Sequence, residues 1–104
     1  MAIIQRRVFY GKVGAADELV GWATDMYGLI KTNNPSINFR IMSDHQSGRT
    51  DRVVAEVEVG SLADLDSMLS GIMDDASTRA QFEEQFGKLA NLIEHAEVEQ
   101  WTIH

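Results

Sequence analysis

The chain has 104 residues, 44% of them hydrophobic and 24% charged, a balance that suits one globular domain with one core and excludes a disordered segment. Its 16 Asp and Glu against 9 Lys and Arg give a formal net charge of −7, which repels phosphate backbones and anionic bilayers, so neither nucleic acid nor membrane is expected as a partner. The absence of cysteine excludes disulfides, a thiol nucleophile and thiolate-dependent metal sites.

The apolar run Met1-Ala2-Ile3-Ile4 is too short for a signal-peptide core, and the charges of Arg6 and Arg7 follow it instead of preceding it. No stretch approaches the roughly 20 apolar residues of a membrane span. The sequence therefore reads as a cytoplasmic protein.

Residues Ile3 to Tyr10 set Ile4, Arg6, Val8 and Tyr10 on one face and Ile3, Gln5, Arg7 and Phe9 on the other, predicting a first strand covered on both sides. Gly11-Lys12-Val13-Gly14 breaks it. This is a strand-to-helix turn and not a phosphate cradle, because the trailing Gly-Lys-Ser/Thr is missing and Asp17 and Glu18 occupy the first helical turn. From Ala15 to Thr32, Leu19, Trp22, Ala23, Met26 and Ile30 recur at helical spacing. Asn33-Asn34-Pro35 ends that helix.

Two alternating runs, Ile37 to Ser43 and Arg52 to Val59, predict strands joined as an antiparallel hairpin through the turn-rich segment from Asp44 to Arg49. Ser61 and Asp64 form a shortened capping box before the stripe Leu62, Leu65, Leu69, Ile72 and Met73. Asp74-Asp75 then interrupts and caps a third helix with the stripe Phe82, Phe86, Leu89, Ala90 and Ile93. Glu97 to Ile103 alternates as a last strand.

The resulting order, β-α-β-β-α-α-β, is a ferredoxin-like α+β domain spanning residues 1–104, with a four-stranded antiparallel sheet and its helices on one face. Its other sheet face mixes apolar and charged residues. Burial against a second copy suits such a face, since a self-complementary twofold contact is the commonest cover for an exposed apolar patch. A homodimer is therefore expected.

In these residues the chain resembles the dimeric α+β barrel superfamily, and within it the NIPSNAP-like group. The likeness lies in Gln5 to Tyr10 leading into Gly11-Lys12-Val13-Gly14, in Met42-Ser43-Asp44 with Gly48, in Ser61 to Leu65, and in the last strand with Glu99 and Trp101. The resemblance implies a dimeric barrel and brings in cofactor-independent monooxygenases, haem-degrading enzymes and small isomerases. Haem-degrading members carry an Asn on the first strand, where this chain has Gln5, Arg6 and Arg7. Haem chemistry is not carried over, and no cofactor is expected.

For a site, the hairpin would set Arg40 opposite Glu56 and Asn38 opposite Glu58. Arg40 and Glu56 could orient a ligand, or act on it with Glu56 as base, but a cross-strand ion pair that satisfies itself is the commoner outcome. Arg6 and Arg7 straddle the first strand, and whichever is enclosed requires an acid such as Glu56 or Glu99. Tyr10, Trp22, Tyr27 and Trp101 are candidates for an aromatic pocket in which a tyrosine donates to a ligand oxygen, although Trp22 and Met26 lie on the core stripe. His45, His95 and His104 show no metal-ligand spacing, and His95 suits the end of the third helix. The ligand-binding set is thus Arg40, Glu56, Tyr10 and Trp101, with no catalytic residue assigned and no metal. It would enclose a small apolar or aromatic molecule between two sheets. The alternatives are a cofactor-independent monooxygenase or isomerase acting on a cyclic or aromatic metabolite, and a structural dimer without a ligand.

Overall fold

A computed structural model describes residues 2–44 and 51–104. They form β1 (Ile3–Gly11), α1 (Ala16–Asn33), β2 (Asn38–Ser43), β3 (Arg52–Val59), α2 (Leu62–Asp74), α3 (Ala76–Leu89) and β4 (Ile93–Thr102). The expected α+β order is therefore the observed one. One antiparallel sheet runs β2-β3-β1-β4, with the three helices over one of its faces. Of the turn expected at Asp44 to Arg49, the part from His45 onward, including Gly48, lies outside the described residues.

Alternation decides the two sheet faces. Phe9 of β1 and Val53, Ala55, Val57 and Val59 of β3 point into the core, where they meet Leu19, Trp22, Ala23, Met26 and Ile30 of α1 and Leu65, Met68 and Ile72 of α2. Leu19, Ile72, Val53 and Val57 are fully buried, and burying each such side chain is worth about 1.5–3 kcal/mol. No helix among the described residues is long and apolar enough to cross a membrane.

Helix starts follow the residues that cap them. The Asp64 N–H donates to Ser61 Oγ at 3.3 Å, and the Thr78 N–H donates to Asp75 Oδ2 at 2.9 Å. The Thr78 hydroxyl donates to the same Asp75 oxygen, and its bond together with that of the backbone N–H holds the Asp75 carboxyl below its ordinary pKa. At α1 the cap position is Ala15, which has no side-chain acceptor. Asp51 supplies it from across the fold: the Ala16 N–H donates to Asp51 Oδ1 at 3.2 Å, while the Asp51 carbonyl accepts from the Gly11 N–H at 2.8 Å. Asp51 holds a φ of 61°, a left-handed conformation that Asp tolerates better than most residues.

The chain departs from expectation at its third helix. That helix stops at Leu89, the Leu92 N–H closes a turn onto Leu89 O at 2.9 Å, and Ile93 opens β4 instead of continuing the helical stripe. Phe82, Phe86 and Leu89 do keep helical spacing, but strand pairing with β1 from Gly11↔Ile93 to Ile3↔Thr102 outweighs it. His95 consequently lies in β4, not at a helix end, and stacks on Tyr10 with ring centroids 4.3 Å apart.

Candidate functional site

Register on the helix-free sheet face builds a charged row across all four strands. Arg40 stands opposite Glu56, Glu56 opposite Arg6, and Arg6 opposite Glu99. Arg40 Nε donates to Glu56 Oε1 at 2.7 Å, Arg6 Nε lies 3.6 Å from Glu56 Oε2, and Arg6 Nη1 donates to Glu99 Oε1 at 3.4 Å. The Trp101 indole N–H ends the row by donating to Glu99 Oε1 at 3.0 Å. Glu56 is therefore held by two guanidiniums, one at each carboxylate oxygen. Arg6 is the arginine on this face.

Tyr10 lies two rows away, donating to Glu97 Oε2 at 3.3 Å beside its stacking partner His95. Its other cross-strand partner, Arg52, is tied to Asp44, with Arg52 Nε 2.9 Å from Asp44 Oδ2. That hydrogen bond raises the Arg52 pKa above its already high ordinary value. Between these rows Met42, Val54 and Val8 form an apolar band. All four sequence-chosen residues, Arg40, Glu56, Tyr10 and Trp101, thus share one face, where a shallow recess of about 220 Å³ lies beside Arg40, Glu56 and Glu58.

A deeper pocket of about 510 Å³ opens on the opposite, helix-covered side. Its floor is Gln5, Arg7 and Phe9 of β1 with Ile93 and Ala96 of β4; Trp22, Met26, Tyr27 and Ile30 of α1 form a wall; and residues of α2 and α3, including Leu69, Phe82 and Phe86, form the roof. It exists because the helices leave β4 uncovered, so that Val98 on the same side is 51% exposed. Trp22 fixes the wall to the roof: its indole N–H donates to the Gln85 carbonyl at 2.5 Å. Its ring also meets Phe9 edge-on, with centroids 5.4 Å apart.

Three polar side chains enter this apolar pocket. Gln5 and Arg7 are two residues apart on the same face of β1, and Tyr27 faces them from α1. Burial pushes the Tyr27 phenol above its usual pKa, while the nearby Arg7 charge pulls the other way, and burial is the stronger effect. The phenol therefore stays protonated at neutral pH and available as a donor. Among the described residues, no ion pair or hydrogen bond engages the Arg7, Gln5 or Tyr27 side chains. Sequence reasoning named Tyr27 as a possible pocket residue but missed Arg7 and Gln5. The available signal was two polar residues sharing a strand face with Ile3 and Phe9.

The folded chain superposes on several solved structures. An uncharacterised NIPSNAP-domain protein from Burkholderia xenovorans matches with a TM-score of 0.78 at 15% identity, over 98% of this chain and 94% of the other. A NIPSNAP family protein from Agrobacterium tumefaciens matches with a TM-score of 0.77 at 14% identity, over 98% and 92%. The chain has the NIPSNAP-type fold. SnoaB from Streptomyces nogalater, a cofactor-independent oxygenase, shares that fold with a TM-score of 0.71 at 13% identity, over 98% and 92% of the two chains. No family model and no curated protein sequence matches this NIPSNAP-fold chain.

Proposed function

We propose that this protein is a homodimer that binds a small apolar or aromatic molecule, one per chain, in the pocket between the sheet and the helices. The observation that carries this reading is the pocket itself: about 510 Å³, apolar over most of its lining, with a few polar groups converging in it, which is the usual constitution of a small-molecule site. Pairing would use the other sheet face, whose alternating row Arg40, Glu56, Arg6 and Glu99 next to the band Met42, Val54 and Val8 suits a self-complementary twofold contact. In this reading Arg40, Glu56, Tyr10 and Trp101 serve assembly.

Gly87 gives a direct test. It lines the pocket from α3, and a Cβ built there meets nothing within 4 Å. Gly87→Leu should fill pocket space and, inside a helix, keep or raise stability. Native mass spectrometry of the wild-type protein should show a co-purifying small molecule that Gly87→Leu loses. A wild-type protein that carries nothing and takes up no apolar probe would leave a structural dimer as the better reading.

An enzymatic reading, a cofactor-independent monooxygenase or isomerase acting on a cyclic or aromatic metabolite, is favoured by the fold shared with SnoaB. It is the weaker one, because among the described residues the pocket lining holds no Asp, Glu or His to serve as a base. Oxygen uptake on adding a candidate aromatic substrate, abolished in Gly87→Leu, would reverse that order.

A further inference from the structure

The charge inventory of the pocket is the opposite of the protein's own. The chain carries 16 acidic residues and a net charge of −7, yet the described residues lining the pocket include one cation, Arg7, and no acid. That guanidinium has no acidic partner among the described residues. Arg7 is exposed in the single chain, so its guanidinium is hydrated until a ligand covers it; a ligand that covers it without a counter-charge forfeits that hydration, and an anionic one replaces it.

We propose that the ligand is a monoanion, a carboxylate on an apolar body, with its oxygens against Arg7 and its body between the sheet and the Phe82 and Phe86 rings. This rests on the pocket being the binding site, and it adds the ligand's charge and orientation. A planar guanidinium matches the two oxygens of a carboxylate as a fork. Gln5, two residues along the same face of β1, brings amide donors, and Tyr27 brings a hydroxyl from the facing helix. A neutral ligand would leave these donors desolvated and unmet, a cationic one would be repelled, and a dianion would bring one charge more than Arg7 can offset. The apolar end has its own place. Phe82 and Phe86 stack with centroids 6.0 Å apart, and Leu69 and Phe86, 45% and 56% exposed, stand where the lining meets solvent.

The experiment is calorimetric titration of the full chain with matched probes of two body shapes: 2-naphthoate against 2-naphthylmethanol, and decanoate against decanol. In at least one pair the carboxylate should bind tenfold or more tightly than the alcohol. Arg7→Met, which keeps an apolar stem at an exposed strand position, should erase that preference while retaining the alcohol's affinity, and Arg7→Lys should keep part of it. Equal affinity within both pairs for the wild-type protein, or a preference that survives in Arg7→Met, overturns the anion inference and leaves the pocket reading standing. If no probe binds at all, the pocket reading fails and the inference falls with it. The wild-type comparison decides the matter even if Arg7→Met does not fold.

Discussion

Arg40 and Glu56 stand directly opposite each other across β2 and β3, with Nε 2.7 Å from Oε1, yet they differ sharply in exposure: the Arg40 side chain is 68% exposed and that of Glu56 15%. The pair is therefore asymmetric in what each loss leaves behind. Arg40→Ala removes a partner that is solvated in the single chain and should cost the fold of each chain about 0–1 kcal/mol. Glu56→Ala also strips Arg6 of an acid, and Arg6 Nε is already buried without a hydrogen-bond acceptor; a cost of about 1–3 kcal/mol is expected. Urea unfolding of both single variants and the double variant reads this. Equal single-variant costs would show that Arg6 draws nothing from Glu56.

Trp101 closes the same charged row and is 58% exposed in the single chain. If the helix-free face pairs two copies, Trp101→Glu places a carboxylate beside Glu99 and the other acids of β4, in a protein already at −7. Sedimentation equilibrium should show dimer association weakened tenfold or more, with the fold of the monomer intact by circular dichroism. An unchanged association constant would move the pairing surface elsewhere.

The Arg40–Glu56 register was readable from alternation alone, because a period of two fixes which residues share a face once the hairpin is placed. Ser61 and Asp75 were readable as caps for a similar reason: each acts three residues along the chain. What escaped is non-local. Nothing near Ala15 announces that Asp51 will cap α1, and nothing in the spacing of Phe82, Phe86 and Leu89 says that Ile93 leaves the helix for β1. The pocket depends on both the end of α3 and the uncovered face of β4, so the strand-face pattern of Gln5 and Arg7 beside Ile3 and Phe9 marked them as sharing a face without showing that a pocket opens there.

Asp51 and Gly11 form the joint on which β1, β3 and α1 meet, and the two positions fail differently. A Cβ on Gly11 would lie 2.5 Å from the Asp51 carbonyl oxygen, a backbone atom that cannot swing aside, so Gly11→Ala should cost about 1–3 kcal/mol. Asp51→Asn keeps both an acceptor and a residue at ease at φ 61°, and should fall within about 0.5 kcal/mol of wild type. Asp51→Ala loses the cap and the conformational tolerance together, about 1–3 kcal/mol. Thermal unfolding that ranks Asp51→Ala with Asp51→Asn would show that the bond to the Ala16 N–H contributes nothing.

Tyr27 gives the fold a pH dependence at the alkaline end. Its phenol is buried and its pKa raised, with desolvation the larger cause and the Arg7 charge opposing it. In the unfolded chain the same group ionises near about 10, so above that pH the unfolded state binds fewer protons than the native state. By linkage, the contribution is fully present below the unfolded pKa and declines as pH rises toward the folded one. Tyr27→Phe removes the titration along with a hydroxyl that makes no hydrogen bond among the described residues, so at pH 7 its stability should match wild type within about 0.5 kcal/mol. Between about pH 9 and 11 the wild-type urea midpoint should fall more steeply than that of Tyr27→Phe, a comparison in which the lysines and Tyr10 cancel. Parallel curves across that range would mean that Tyr27 ionises as freely in the fold as outside it, and that burial does not desolvate its hydroxyl.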